Sequence, residues 1–139
     1  MKKRIREFVL NHSITREIFF IIGQRKVNLK KIEKKISKDK MIISQRKIED
    51  CIVSLTSYGD RVMELKYTLY SLITQTIRPE KIIVNLSSSD MKNISPLLQS
   101  FENYGVEFVE VEDIKSYKKL IPTLQSYPEK IIAFFTSHY

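Results

Sequence analysis

A single cysteine, Cys51, occurs among the 139 residues, so no disulfide can form within the chain and nothing indicates an oxidising compartment. Long apolar segments are lacking as well. The run at 18–22 is only five residues long and is flanked by charged side chains. It is shorter than the core of a secretory signal, about 7–15 residues, and far shorter than a membrane span of about 20. We therefore expect a cytoplasmic protein that does not cross a membrane.

Glycine-rich phosphate-binding motifs are also missing. The chain contains neither G-x-G-x-x-G nor G-x-x-x-x-G-K-[ST], so dinucleotide and P-loop chemistry have no support. The two histidines, His12 and His138, lie outside the organised part of the sequence, and no nucleophile elbow is present. Hydrolysis by a Ser-His-Asp triad is therefore not expected, and we assign no catalytic residue.

Positive charge is abundant but unevenly distributed. The net charge is +8, and residues 1–50 hold 15 Lys or Arg against 6 Asp or Glu, whereas residues 51–139 hold 9 against 10. A uniformly basic domain would indicate nucleic acid, but a basic segment beside a near-neutral domain indicates a separate arm. We predict a basic helical arm at 1–50 and one α/β domain at 51–139, and we do not expect nucleic acid as the partner of the domain.

The arm contains an amphipathic pattern. Leu29, Ile32 and Ile36 recur at helical spacing, and lysines occupy the other faces, so the spacing predicts a basic helix. A second, less regular helix is predicted around 5–22. Such an arm can attach to anionic lipid, where each Lys or Arg contributes about 1 kcal/mol. A solvated helix packed on the domain explains the same pattern, and both interpretations stay open.

After residue 50, short apolar runs alternate with helical patterns. Asp60 is expected to cap the first of these helices, and Gly105 to end the second. This alternation predicts a Rossmann-like α/β fold, a parallel half sheet of about four strands with helices on both faces. The predicted strands are 51–56, 81–86, 106–111 and 130–135, and the predicted helical faces are Val62, Leu65, Leu69, Leu72, Ile73; Ile94, Leu97, Leu98, Phe101; and Tyr117, Leu120, Ile121, Leu124.

Three stretches carry a resemblance to a known family. They read Ile-Val-Ser-Leu-Thr-Ser-Tyr-Gly-Asp-Arg at 52–61, Ser-Leu-Ile-Thr-Gln-Thr-Ile-Arg-Pro-Glu-Lys-Ile-Ile-Val at 71–84 and Ser-Tyr-Lys-Lys-Leu-Ile-Pro at 116–122. In order and spacing they resemble the opening of bacterial family-2-like glycosyltransferases of the GT-A fold, over residues 51–133. The resemblance implies the nucleotide-sugar-binding portion of an enzyme of polysaccharide or glycan synthesis, with a UDP-sugar as the first expected ligand.

The same resemblance implies a set of binding residues. Hydroxyl groups in the loop after the first strand can bond ribose and base edges, a tyrosine can stack on the base, and arginine or lysine can meet phosphate. The same residues can also be explained without a ligand: the tyrosine as a turn residue packed on the sheet edge, and Lys118 and Lys119 as part of a solvated helix face. The nucleotide-sugar-binding residues implied are Thr56, Ser57, Tyr58, Arg61, Asn85, Asp113 and Lys119.

The chain departs from the family at two places. The end of the second strand often carries an acidic residue, whereas this chain has Asn85, Ser87 and Asp90. After the fourth strand the family has an Asp-x-Asp motif for the Mn²⁺ or Mg²⁺ that full-length relatives would use, but residues 133–139 read Ala-Phe-Phe-Thr-Ser-His-Tyr. We expect no metal site and no useful transferase activity from a chain truncated in this way. An unpaired apolar fourth strand would also lower its solubility.

A different class of function remains open. The chain could be a non-enzymatic module whose basic arm binds an anionic membrane or nucleic acid, with the α/β part as a scaffold. Salt-dependent binding to vesicles or DNA without nucleotide binding would favour that hypothesis.

Overall fold

The computed structural model describes residues 28–38 and 41–135. The predicted helix around 5–22 lies outside these residues. Contacts divide the chain into two compact units: the first holds the described residues up to Arg46 together with Tyr67–Arg78, and the second holds Lys47–Lys66 and the described residues from Pro79 onward. Across the described ranges, no helix is long and apolar enough to span a membrane.

The arm contains the predicted basic helix. Helix α1 covers Leu29–Ser37, and the side chain of Asn28 caps it by accepting a hydrogen bond from the amide of Lys31 at 3.2 Å. Ile32 and Ile36 are buried while the lysines are exposed, as the periodicity predicted. Within this unit the hydroxyl of Tyr67 donates to Glu33 Oε1 at 2.7 Å. Two of the three predicted apolar residues of α1 are therefore used for packing, whereas Leu29 is 47% exposed and the lysines face solvent.

A four-stranded parallel sheet forms the second unit, which confirms the predicted α/β class. The strand order is β3-β2-β1-β4, so β3 and β4 are the edges. The pairing runs from Cys51↔Ile131 to Ser54↔Phe134 between β1 and β4, and from Ile82↔Val106 to Leu86↔Glu110 between β2 and β3. The strands are β1 Lys47–Thr56, β2 Arg78–Leu86, β3 Val106–Glu110 and β4 Ile131–Phe134.

The two central strands carry the core. Residues 51–55 of β1 and 82–86 of β2 are buried without a break, as expected for parallel strands covered on both faces. Strand β4 is less protected, since the side chain of Ile131 is 68% exposed. The chain runs outward from β1 to β3 and then returns to place β4 on the other side of β1. The order of the strands reverses between β1 and β4, where open parallel sheets usually bind ligands.

The first connection begins with a 3₁₀ helix, Gly59–Glu64, and continues as α2, Leu65–Ile73. The predicted apolar face is confirmed, because Val62, Leu65, Leu69, Leu72 and Ile73 are all buried. The prediction that Asp60 caps this helix is wrong. A left-handed Gly59, with φ of 55°, starts the helix two residues earlier than predicted, so Tyr58 occupies the N-cap position, and its side chain makes no capping hydrogen bond.

The second connection contains two short helices and a 3₁₀ helix. Helix α3, Ser88–Met91, is capped by Ser87, and helix α4, Pro96–Gln99, is capped by Ser95. A 3₁₀ helix, Ser100–Tyr104, follows α4. Gly105 ends it in the left-handed conformation, with φ of 83°, as predicted.

In the third connection, the residues that are buried are not the ones that the sequence predicted. A 3₁₀ helix, Lys115–Lys119, leads into α5, Ile121–Ser126. Lys118, Lys119 and Thr123 are buried, whereas the predicted apolar face is mostly exposed: Tyr117 by 64%, Ile121 by 40% and Leu124 by 43%. The prediction of a buried apolar face is therefore wrong. The 3₁₀ segment explains the change, because three residues per turn in place of 3.6 rotate each later side chain to a different direction.

At the amino end of the sheet, one lysine ties three strands together. The ammonium of Lys130 donates to Asp50 Oδ1 at 2.8 Å and to Glu80 Oε2 at 2.9 Å. The amide of Asp50, a residue with φ of 60°, donates to Glu80 Oε2 at 2.8 Å. Hydrogen bonds from Lys130 and from the Asp50 amide lower the pKa of Glu80, and the two carboxylates raise the pKa of Lys130. This cluster fixes the start of β4 beside β1 and β2.

Replacing Lys130 with methionine should lower the melting temperature at pH 7, and the difference from the wild type should shrink as the pH falls from about 5 to 3. A carboxylate whose pKa is lowered on folding stabilises the protein above its unfolded pKa, about 4.3, and this stabilisation is lost as the pH falls through the folded pKa. Thermal unfolding of both proteins across this range measures the effect. An equal difference at every pH would contradict an ionic origin, and Lys92→Met, at an exposed site, is the control.

Candidate functional site

The main cleft, a cavity of about 320 Å³, lies at the carboxyl ends of β1 and β4. Thr56 ends β1 and Phe135 follows β4, so the cleft occupies the position where the strand order reverses. The third connection supplies the opposite wall. The residues that line the main cleft are Thr56, Ser57, Tyr58, Arg61, Asp113, Lys115, Ser116, Lys118, Lys119 and Phe135.

Hydrogen bonds hold the loop after β1 in place. Thr56 Oγ1 donates to the carbonyl of Asn85 at 2.7 Å, which links the end of β1 to β2. The amide of Gly59 donates to Asp90 Oδ1 at 2.8 Å, and Ser87 Oγ donates to the other oxygen of the same carboxylate at 2.7 Å. Asp90 is buried and therefore acts as an anchor for the loop. The residues between Thr56 and Gly59 are fixed at both ends.

An aromatic side chain and a cation share one wall of the main cleft. The ring of Tyr58 is 59% exposed, and the guanidinium carbon of Arg61 lies 5.3 Å from its centroid. A cation over a ring face is attracted by the ring quadrupole, which favours a defined position for both groups. The exposed ring offers a planar surface for a second flat group, and the guanidinium offers a fork of donors to an anion.

On the opposite wall, Lys118 is paired with a carboxylate. Its ammonium donates to Asp113 Oδ1 at 3.0 Å, and its side chain is only 4% exposed. The hydrogen bond from Lys118, followed by that from the amide of Lys115, lowers the pKa of Asp113. Lys115 itself has φ of 57°, a left-handed conformation that turns the chain between Asp113 and Lys118. This turn brings the carboxylate back onto the lysine.

The neighbouring lysine has no such partner. Lys119 is buried, and within 28–38 and 41–135 no carboxylate lies at salt-bridge distance from its ammonium. Its ammonium lies over the face of the Phe134 ring, 5.7 Å from Nζ to the centroid. Burial alone lowers the pKa of Lys119 below its ordinary value. A buried ammonium without a counter-ion, facing a cavity, is a site prepared for an anion.

A second cavity, of about 550 Å³, opens at the carboxyl ends of β2 and β3. It is acidic where the main cleft is basic, since Glu110 and Glu112 line it together with hydroxyl groups. Asp113 lines both cavities. Carboxylate and hydroxyl acceptors of this kind suit a neutral ligand part that carries hydroxyl or amide donors.

The structure brings together six of the seven binding residues that the resemblance implied: Thr56, Ser57, Tyr58, Arg61, Asp113 and Lys119 line the main cleft. Asn85 lines neither cavity. It is buried, and its amide nitrogen donates to Ser54 Oγ at 3.1 Å and to Thr123 Oγ1 at 2.9 Å. The structure therefore assigns Asn85 to the core.

Sequence reasoning did not find Lys115, Ser116, Lys118 and Phe135 as lining residues. The interpretation of Lys118 and Lys119 as a solvated helix face is wrong, because both are buried. Both lysines lie in the stretch at 116–122 that carries the resemblance, which implied Lys119 alone as a binding residue, whereas the apolar spacing of Tyr117, Ile121 and Leu124 favoured the opposite face. Among the residues that the structure describes, no group of three or more His, Cys, Asp or Glu side chains is placed to hold a metal ion.

Comparison of the chain with protein-family models, curated proteins and solved structures gives no match.

Proposed function

We propose that the main cleft binds a nucleotide sugar, and that the chain is the nucleotide-sugar-binding portion of a glycosyltransferase-like protein with a Rossmann-like half sheet of the GT-A type. The observation that carries the proposal is Lys119, a buried ammonium in a cleft at the carboxyl ends of parallel strands, with no carboxylate partner among the residues that the structure describes. The strand order β3-β2-β1-β4 supports the proposal, because Rossmann-like sheets bind nucleotides in the crevice where the strand order reverses.

The charges of the main cleft favour a diphosphate. Four cationic side chains line it, Arg61, Lys115, Lys118 and Lys119, against one carboxylate, Asp113, which Lys118 already neutralises. Phosphate oxygens can accept charge-assisted hydrogen bonds from these groups, which are shorter and stronger than neutral ones. A cavity of about 320 Å³ also falls at the lower end of the size range of small-molecule sites, about 300–1,000 Å³.

Next to the cationic side chains, the main cleft has groups that can bind a nucleoside. The exposed ring of Tyr58 can stack on a base, and Ser57, which also lines the cleft, can form a hydrogen bond with a hydroxyl or amide group. The acidic second cavity, which shares Asp113 with the main cleft, suits the hydroxyl groups of ribose or of the donor sugar. UDP-sugars remain the first ligands to test. In the proposal, this chain contributes donor binding, and neither a catalytic base nor a metal ligand is assigned.

Titration calorimetry with UDP and UDP-sugars, with and without Mn²⁺, tests the proposal. We expect saturable binding that weakens with salt, and a Tyr58→Ala variant that binds about 5- to 150-fold more weakly, since base stacking contributes about 1–3 kcal/mol. The matched control is Tyr117→Ala, because Tyr117 is as exposed as Tyr58 but lines neither cavity. No binding by a folded sample, shown by a cooperative thermal transition, would overturn the proposal.

The alternative, a membrane- or nucleic-acid-binding module, has one supporting observation. Helix α1 keeps its lysines exposed, so they can contact an anionic surface. Its isoleucines Ile32 and Ile36 are buried and are not available for insertion into lipid. Apart from the exposed Leu29, the helix therefore offers charge and not an apolar face, and electrostatic attachment is the testable form of this hypothesis. Sedimentation with anionic vesicles at increasing salt separates it from nucleotide binding.

A further inference from the structure

Two adjacent lysines line the main cleft, and only one of them has a counter-ion. Lys118 donates to Asp113 Oδ1 at 3.0 Å and so has a carboxylate counter-ion. Lys119 has no carboxylate at salt-bridge distance among the described residues. The two side chains are chemically identical and line the same cavity, but only Lys118 has a carboxylate beside its ammonium in the described chain. Their nucleophilic character should therefore differ.

Burial disfavours the charged form of Lys119. The side chain is buried and lines the cavity with Phe135, and its ammonium lies 5.7 Å from the centroid of the Phe134 ring. Burial lowers its pKa, which raises the fraction of neutral amine near neutral pH. The charged or titratable groups that share its cavity are Arg61, Lys115, Lys118, Tyr58 and the already paired Asp113.

We propose that Lys119 is a reactive amine that forms an imine with small anionic aldehydes bound in the main cleft. Lys119 lines the cavity together with Arg61, Lys115 and Lys118, and these three cations attract the phosphate or carboxylate of the aldehyde. The anionic group then holds the carbonyl beside the amine, which makes the attack effectively unimolecular. The inference uses the cations of the proposed nucleotide site but does not require that a nucleotide bind there.

The reaction balances without any other reagent. The Nζ lone pair attacks the carbonyl carbon, a C–N bond forms, and the carbonyl oxygen gains a proton to give a carbinolamine. The C–O bond then breaks and the oxygen leaves as water. Nitrogen has lost its two hydrogens, carbon is now double-bonded to nitrogen, and no oxidant or reductant takes part. The adduct is reversible, so an assay must trap it.

Pyridoxal 5′-phosphate, an anionic aldehyde, is the probe. The folded chain is incubated with it, reduced with cyanoborohydride, digested, and the fraction of each lysine modified is measured by mass spectrometry. We expect Lys119 to be labelled several-fold more than Lys118 or the exposed Lys92. Lys119→Arg should lose this selective label, Lys118→Arg should retain it, and pyridoxal without its phosphate should react less.

Equal labelling of Lys119 and Lys92, or equal reaction with pyridoxal and its phosphate, would overturn the inference. Competition with UDP distinguishes it from the proposed function. Selective labelling that UDP does not reduce, in a chain that fails to bind UDP, would support the reactive amine and reject the nucleotide site. Binding of UDP without selective labelling of Lys119 would support the nucleotide site and reject the reactive amine.

Discussion

Replacing Lys119 with methionine should lower the affinity for UDP by about 10- to 150-fold and leave the melting temperature unchanged or higher. The range corresponds to the loss of one charge-assisted hydrogen bond, about 1.5–3 kcal/mol. Methionine keeps the length and apolar character of the lysine stem, so the packing around the main cleft is retained. What disappears is the ammonium group that would meet the phosphates.

The change to methionine should weaken UDP binding but should not weaken folding, because the ammonium is buried without a carboxylate partner in the described chain. Burial lowers the pKa of Lys119, so the cost of the charge is present in full below the folded pKa and disappears as the pH rises toward the unfolded value of about 10.4. Lys119→Met removes that cost at neutral pH. The wild type should therefore gain stability relative to the variant as the pH rises.

Calorimetry and thermal unfolding of the same preparations separate the two effects. Lys92→Met serves as the matched control, since Lys92 is exposed and lines neither cavity. A variant that binds UDP as well as the wild type would remove Lys119 from the site. A variant that melts well below the wild type would show that the lysine serves the fold instead. Loss of affinity together with unchanged or greater stability is the signature of a residue kept for a ligand.

The fold could be predicted from the sequence because its signals are local. The buried runs of β1 and β2 are continuous apolar segments, and Gly105 marks the end of a helix by its freedom to adopt a positive φ. The parallel arrangement follows from alternating strands and helices. These features depend on neighbouring residues alone, which is the information that one sequence holds.

The third connection could not be predicted, because its burial depends on distant residues. Thr123 is buried through hydrogen bonds to Ser54 and Asn85, which lie 69 and 38 positions away in the chain. These contacts hold α5 with its polar side inward, and the preceding 3₁₀ turn places Lys118 and Lys119 in the cleft. Apolar periodicity alone favours the opposite face. The same contacts explain why Asn85, predicted as a binding residue, lies in the core.

The candidate site could be predicted from the sequence only in part. The loop after β1 was predicted by its position in the topology and by its resemblance to a family, and it does line the cleft. The anchor of that loop, the contact of Asp90 with the amide of Gly59, spans 31 positions and had no signal in the sequence. The topology gives the location of such a site, whereas its counter-ions and anchors depend on the packed structure.

Changing Asn85 to aspartate should destabilise the protein by about 3–5 kcal/mol at pH 7, which is a large part of the total stability of a domain. Asn85 is 1% exposed, and its amide nitrogen donates to both Ser54 and Thr123. The aspartate has almost the same shape. It replaces a group that donates two hydrogen bonds by a carboxylate that donates none, and it buries a negative charge without a cation beside it.

The destabilisation should depend on pH in a defined direction. Burial would raise the folded pKa of the new carboxyl above its unfolded value of about 3.9. The variant is therefore expected to be closest to the wild type near pH 4, and to lose stability as the pH rises until it passes the folded pKa. Urea unfolding at several pH values measures this. Asn93→Asp, at an exposed position, should show no comparable trend.

The Asn85→Asp variant also decides between the two roles of the residue. If Asn85 contacted the nucleotide, as the resemblance implied, aspartate would weaken UDP binding by charge repulsion at every pH where it is ionised while leaving stability nearly unchanged. If Asn85 instead holds α5 against β1 and β2, the main effect of the change is a loss of folding stability. UDP binding by the protein that remains folded is then weakened only because Lys118 and Lys119 are displaced. The hydrogen bonds to Ser54 and Thr123 favour the second outcome, because they connect Asn85 to the segment that carries both lysines.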